Sequence, residues 1–205
     1  MKQGMIYSRG FFIGHLNVPY DPEWPTEWLT QRTSRFEIQY GPKIEVRTLS
    51  RNGTELTLIG RVVDCKLATA DADTVLQELS TAYLQSEESS FTRLDHLAGR
   101  FVLLVNTQSE TFALTDASGN RALFYHDTGC LSSHPSLLSD VVGAKQDSQA
   151  TQFLNSPTYK SDKDSYFPGI RTPFESVRAL TPNTRLDLES LSVERFYPRD
   201  SLRKN

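Results

Sequence analysis

The sequence predicts an α+β fold of short strands joined by tight turns, together with amphipathic helices. Three observations carry the prediction. The first third of the chain alternates apolar runs with Gly, Pro and Asn-Gly turn signals. A stretch opening at Asp71 places its apolar residues at helical spacing. From Phe101 to Ser133, apolar segments follow one another at turn-length intervals.

Taken in order, residues 6–16 read as an initial strand region, after which Pro19, Pro22 and Pro25 interrupt regular structure. Trp24 and Trp28 follow with a helix-turn spacing and are read as core anchors. Residues 35–40 and 44–49 read as strands joined by Gly41-Pro42, and Asn52-Gly53 marks a hairpin delivering the chain into a strand over 56–64. Asp71-Ala72-Asp73-Thr74 then opens a helix with carboxylates at its positive end, and Val75, Leu76, Leu79, Ala82 and Tyr83 form its apolar face. Residues 87–90 are expected to break it before a second short helix over about 91–97, closed by Gly99. Strands are expected over 101–106, 111–116, 121–126 and 130–133, and Pro135 suits the first position of a further helix. Residues of about 145–165 turn polar and read as a surface loop.

The 205 residues suffice for one domain, 1–205, with a core that stands without staples. A formal net charge of -3 supplies no basic field for nucleic acid. Cys65 and Cys130 belong to no ligand spacing or disulfide framework and are expected as buried free thiols. His15, His96, His126 and His134 show no metal-ligand spacing, and no metal site is expected; His126 and His134 fall on neighbouring strand ends. There is no Gly-x-Ser-x-Gly elbow, Walker loop or dinucleotide fingerprint, hence no catalytic residue is nominated. Without a signal peptide or an apolar span of about 20 residues, no membrane association is expected and the location expected is cytoplasmic.

Several ordered segments resemble the glutaminase domain of the asparagine synthetase family, class II glutamine amidotransferases of the N-terminal-nucleophile hydrolase fold. They are Leu97-Ala98-Gly99-Arg100-Phe101, then Thr115-Asp116-Ala117-Ser118-Gly119-Asn120-Arg121-Ala122-Leu123-Phe124-Tyr125, then Ser132-Ser133-His134. Downstream, Leu180-Thr181-Pro182-Asn183 is similar to the family's Leu-x-Pro-Gly, and Val193-Glu194-Arg195-Phe196-Tyr197-Pro198 to its final strand. The resemblance spans roughly residues 56–198. It implies a four-layer αββα sandwich of two antiparallel sheets.

It also implies a chemistry whose parts are missing. The family's nucleophile is a cysteine directly after the initiator methionine, whose free α-amino group, with a pKa of roughly 7.7 to 8, relays the proton. Here position 2 is Lys2, which forms no thioester. The family's Asn-Gly pair, which supplies an oxyanion hole, is matched by Ile59-Gly60, and isoleucine has no donor. Loss of one such hydrogen bond removes about 3 to 4 kcal/mol from an active enzyme. Asp73 matches the aspartate that holds the substrate ammonium, with a helix N-terminal charge as the plainer reading, and Arg47 is the candidate for the substrate carboxylate. Asp116 and Gly119 are kept, which fits a turn requirement. Gly60 and Asp73 are therefore the vestigial substrate-binding residues.

The expectation is a non-catalytic glutaminase-like domain or subunit supporting an ATP-dependent, amide-forming ligase of the asparagine synthetase type, as in β-lactam synthetases and lasso-peptide cyclases. ATP and Mg would be bound by the partner, since the family's Ser-Gly-Gly-x-Asp-Ser pyrophosphate loop does not occur here. The partner is expected as a separate subunit or as a further domain of a longer product, and homo-oligomerisation is left open. Two alternatives stand beside this: an active glutamine-hydrolysing subunit with an unconventional N-terminus, and an amino-acid or peptide-binding module built on the old pocket.

Overall fold

The computed structural model describes residues 7, 9–16, 18, 20, 24–161, 167 and 169–198. They build two six-stranded sheets, every strand pairing antiparallel. The α+β class with two antiparallel sheets is as expected. The chain divides into two compact units, Met1–Pro42 with Ala122–Ala179 and Lys43–Arg121 with Leu180–Asn205, and each holds one sheet and its own helices.

In the first unit the sheet order is β10-β8-β9-β1-β3-β2. Its centre is β1 (Phe11–His15), paired with β3 (Phe36–Tyr40) and β9 (Leu131–Ser132); β2 (Leu29–Arg32), β8 (Phe124–His126) and β10 (Val177–Ala179) complete it. Phe11, Phe12 and Ile13 are all buried, so both faces of β1 are covered and its sequence is an unbroken apolar run. The strand starts later than residue 6 because Gly10 N–H closes a turn onto the Tyr7 carbonyl at 2.7 Å. Helix α3 (Pro135–Val142) begins on Pro135, as expected, and ends where Gly143 takes a left-handed φ of 69°. Leu137 and Leu138 of that helix join Phe12, Trp28, Cys130 and Val177 in one core. Trp24 and Trp28 stack at 5.5 Å against this core, in the anchoring role read from the sequence.

Gly41-Pro42 joins two strands as expected, and these belong to different sheets. One expectation for this unit is corrected. The polar stretch of about 145–165 is not a plain loop: it carries α4 (Ser148–Leu154) and α5 (Pro157–Ser161). Asp147 caps α4 by accepting the Gln149 and Ala150 N–H groups, a signal hidden among polar neighbours.

The second sheet runs β12-β11-β7-β6-β5-β4. The hairpin of β4 (Val46–Arg51) and β5 (Thr54–Asp64) turns at Asn52 and Gly53 with φ of 51° and 78°, the positive pair that a two-residue hairpin loop demands. β5 pairs with β6 (Leu97–Asn106) in unbroken register from Glu55↔Asn106 to Asp64↔Leu97. β7 (Thr111–Thr115), β11 (Thr184–Asp187) and β12 (Val193–Arg195) follow. Helix α1 (Ala72–Gln85) covers one face, setting Val75, Leu76 and Leu79 on Leu56, Leu58, Phe101 and Leu103. Each such leucine or phenylalanine contributes about 1.5 to 3 kcal/mol by burial.

The second helix is α2 (Glu87–Leu94), earlier than the residues expected. Ser86 explains the shift: its N–H ends α1 on the Ala82 carbonyl, and its hydroxyl caps α2 by accepting the Ser89 N–H at 3.0 Å. Glu87 and Glu88, read as a helix break, are the acidic first turn that a helix N-terminus favours. Leu97 and Gly99 already belong to β6.

Candidate functional site

The residues singled out from the sequence lie in the second unit, around the junction of β4, β5 and the start of α1. Ile59 is fully buried, and the Gly60 N–H donates to the Glu45 carbonyl at 2.8 Å, continuing the β4–β5 ladder. Gly60 has a φ of +118°, and a Cβ built there would stand 2.2 Å from the Arg100 carbonyl oxygen. Arg47, on β4, reaches the Glu45 carboxylate at 3.2 Å and the Asp73 carboxylate at 3.9 Å. The fold thus assembles Gly60, Arg47 and Asp73 in one neighbourhood. The two charged side chains there face each other, and Arg47 takes a further carboxylate from Glu45.

Asp73 sits in the first turn of α1, whose cap is Asp71. The Asp71 carboxylate accepts the Thr74 hydroxyl at 2.5 Å and the Thr74 N–H at 2.9 Å. These bonds, the hydroxyl first, hold its carboxyl below the usual carboxylate range. A lowered folded-state pKa stabilises the turn above the unfolded-state pKa, and this is lost as pH falls through the folded value. Thr74 amide protection is therefore expected to hold through the ordinary carboxylate range and to fall only in stronger acid. An Asp71 carboxyl NMR titration with its midpoint at or above the ordinary value would contradict this.

Cys130 is buried as expected, its thiol 3.2 Å from the Tyr20 hydroxyl; burial pushes the tyrosine pKa up to about 12. Cys65 is exposed, contrary to expectation, because β5 ends at Asp64 and the next residues form a surface turn. His126 shares a hydrogen bond with Thr128 at 3.0 Å and His134 one with Ser133 at 2.8 Å, so the structure gives them separate partners. Among the described residues no group of three or more His, Cys, Asp or Glu could hold a metal ion. Asp116 is buried and accepts the N–H groups of Ser118, Asn120 and Arg121, while Gly119 has a φ of 62° and packs against Pro182. Both serve the turn.

Two features of this unit carried no sequence signal. Asp64, wholly buried, pairs with Arg93 and also accepts the N–H groups of Lys66 and Leu67, each at 2.9 Å. Arg61 and Arg100 stand directly opposite each other on β5 and β6, both exposed. Of two larger concavities here, one of about 180 Å³ lies among Leu94, Leu97, Phe101, Leu114 and Phe196, and one of about 450 Å³ lies between α1 and α2. Neither is lined by Gly60 or Asp73. Lys2, on which the nucleophile argument turns, lies outside the described residues, as do Pro19 and Pro22. Among the described residues, no helix is long and apolar enough to cross a membrane.

No protein-family model matches the chain, and no curated protein is significantly similar to it. Among solved structures, the chain is similar to the glutamine phosphoribosylpyrophosphate (PRPP) amidotransferase from B. subtilis complexed with ADP and GMP, at 16% identity and a TM-score of 0.44, covering 80% of this chain and 35% of that one. It is also similar to a structure described as the allosteric regulatory enzyme of purine biosynthesis, at 15% identity and a TM-score of 0.47, covering 96% of this chain and 45% of that one. The chain therefore spans less than half the length of either protein.

Proposed function

We propose that this chain is a glutaminase-like domain or subunit without glutaminase activity, which supports an ATP-dependent, amide-forming ligase by docking to it. The observation that carries the reading is the state of Ile59-Gly60. Where the resembled family aims an asparagine side chain and a glycine N–H at a tetrahedral oxyanion, this chain has a buried aliphatic side chain and an N–H committed to the Glu45 carbonyl. Neither group is free to meet developing negative charge, and oxyanion stabilisation is commonly the largest single contribution to such catalysis. The contacts of Arg47 with Glu45 and Asp73 support the same reading, because each charge that would hold an amino acid's carboxylate or ammonium already has a counter-charge. Under this proposal ATP and Mg act in the partner.

The test has two arms. Incubated with glutamine, the purified protein is expected to release no ammonia above background, and Ile59→Asn is expected not to restore release, since the Gly60 N–H remains engaged. Co-expression with an asparagine-synthetase-type ligase from the same locus is expected to give a complex that survives purification, or a change in the ligase's activity. Ammonia release well above background would refute the non-catalytic half. Failure of the pair either to co-purify or to affect each other would refute the docking half.

A further inference from the structure

The β5–β6 ladder contains two Gly-Arg dipeptides facing each other, Gly60-Arg61 and Gly99-Arg100. Arg61 is registered opposite Arg100, and the two glycines flank that rung with φ of +118° and +137°. A Cβ on Gly60 would lie 2.2 Å from the Arg100 carbonyl oxygen, and one on Gly99 would lie 2.3 Å from that of Arg61. Each arginine's backbone is thus drawn against the glycine of the other dipeptide, and only glycine permits it. The rung is a built feature of the sheet.

Both arginine side chains are exposed, on the face opposite the one covered by α1. Arg100 is steadied by donating from Nε and Nη2 to the Asn120 carbonyl, at 3.2 and 3.1 Å. Of its five N–H donors this leaves about three, and a carbonyl supplies no counter-charge. Arg61 makes no hydrogen bond or ion pair among the described residues. Like charges directly opposite on a strand pair are destabilising. The next rung on the same face is aliphatic and exposed, Val63 opposite Ala98.

The geometry points to a binding site for a phosphate monoester on the Arg61–Arg100 rung. A carboxylate carries one charge and is satisfied by one guanidinium in bidentate contact. A phosphate monoester carries about -1.5 to -2 at neutral pH and presents three acceptor oxygens, which matches two guanidinium groups carried on facing positions of one rung. Its organic substituent would lie along the Val63–Ala98 rung. The phosphate belongs either to a free phosphorylated small molecule or to a phosphorylated side chain.

The test titrates the protein at low salt with methyl phosphate, with acetate, and with a phosphoserine peptide, read by calorimetry and by the arginine Nε–H NMR signals. Methyl phosphate is expected to shift the Arg61 and Arg100 signals. Arg61→Gln and Arg100→Gln are each expected to weaken binding by about tenfold or more, the usual loss for a charged hydrogen-bond partner. Both variants should keep the wild-type unfolding midpoint or raise it slightly, because the side chains are exposed and one of two opposed like charges is removed. Acetate is expected to bind more weakly than methyl phosphate. Tighter binding of the peptide would assign the phosphate to a protein, and equal binding to a small ester. The proposal is overturned if methyl phosphate leaves both signals unmoved, if acetate binds as well, or if Arg61→Gln binds as the wild type does.

Discussion

Asp64→Ala is expected to cost about 3 to 5 kcal/mol of stability, the usual penalty when one partner of a buried ion pair is removed and its counter-charge is stranded. Asp64 is wholly buried, and the Arg93 side chain that meets it is 11% exposed, so little water reaches either group. The Arg93 Nε has no hydrogen-bond partner, which leaves the guanidinium dependent on this one carboxylate for charge compensation. The same carboxylate holds the Lys66 and Leu67 N–H groups, and so shapes the turn that leads from β5 towards α1. Urea unfolding should therefore show a large fall in midpoint for Asp64→Ala and for Arg93→Met. A smaller fall is expected for Asp64→Asn, which keeps an acceptor for the turn. The double variant Asp64→Leu with Arg93→Met should be more stable than either Asp64→Ala or Arg93→Met, because no lone charge remains. A loss below about 1 kcal/mol for Asp64→Ala would place the pair in the class of solvated surface bridges and refute the argument.

Why this pair escaped the sequence is instructive about what was legible. Periodicity reports which face of an element is apolar, and it placed Val75, Leu76 and Leu79 on the core side of α1 correctly. Turn chemistry is equally local, so Asn52-Gly53 and Asp116 to Gly119 could be read with their mechanisms. Asp64 and Arg93 are 29 positions apart and on different elements, and nothing in either neighbourhood marks them as partners. The second helix starts earlier than its composition indicates, for a related reason. Glu87 to Ser90 looks like a break by composition, yet Ser86 serves as the end of one helix and the cap of the next, a double role visible only in hydrogen bonds. Gly41-Pro42 marks the end of one strand and the approach to the next, but such a signal does not say which sheet receives the following strand. At the candidate site, sequence order indicated Gly60, Arg47 and Asp73; Arg47 lies beside Asp73, and the Gly60 N–H meets the Glu45 carbonyl at the start of β4. That order could not indicate that the Gly60 N–H is spent on β4 or that Arg47 is held between two carboxylates.

Gly60→Ala is the second large expected loss, about 3 kcal/mol or more, and it separates two explanations of the same residue. If glycine stands at position 60 only as a relic of an oxyanion hole, alanine should be tolerated, since the N–H is retained. The backbone argues otherwise. At a φ of +118° an L-residue is strained by about 1 to 3 kcal/mol, and its Cβ would overlap the Arg100 carbonyl oxygen at 2.2 Å, a contact between backbones that no rotamer relieves. Gly53→Ala provides the scale: φ there is +78°, but the nearest atom is the flexible tip of Gln108 at 3.2 Å, so the cost should stay near 1 kcal/mol. The expected order of urea midpoints is therefore wild type, then Gly53→Ala, then Gly60→Ala. Gly99→Ala should fall with Gly60→Ala, because its Cβ meets the Arg61 carbonyl oxygen in the mirror arrangement. A Gly60→Ala protein as stable as Gly53→Ala would show that the strands can part at this rung. The expected order, conversely, would mean that the close pairing of β5 and β6 demands glycine here whatever chemistry the neighbourhood performs.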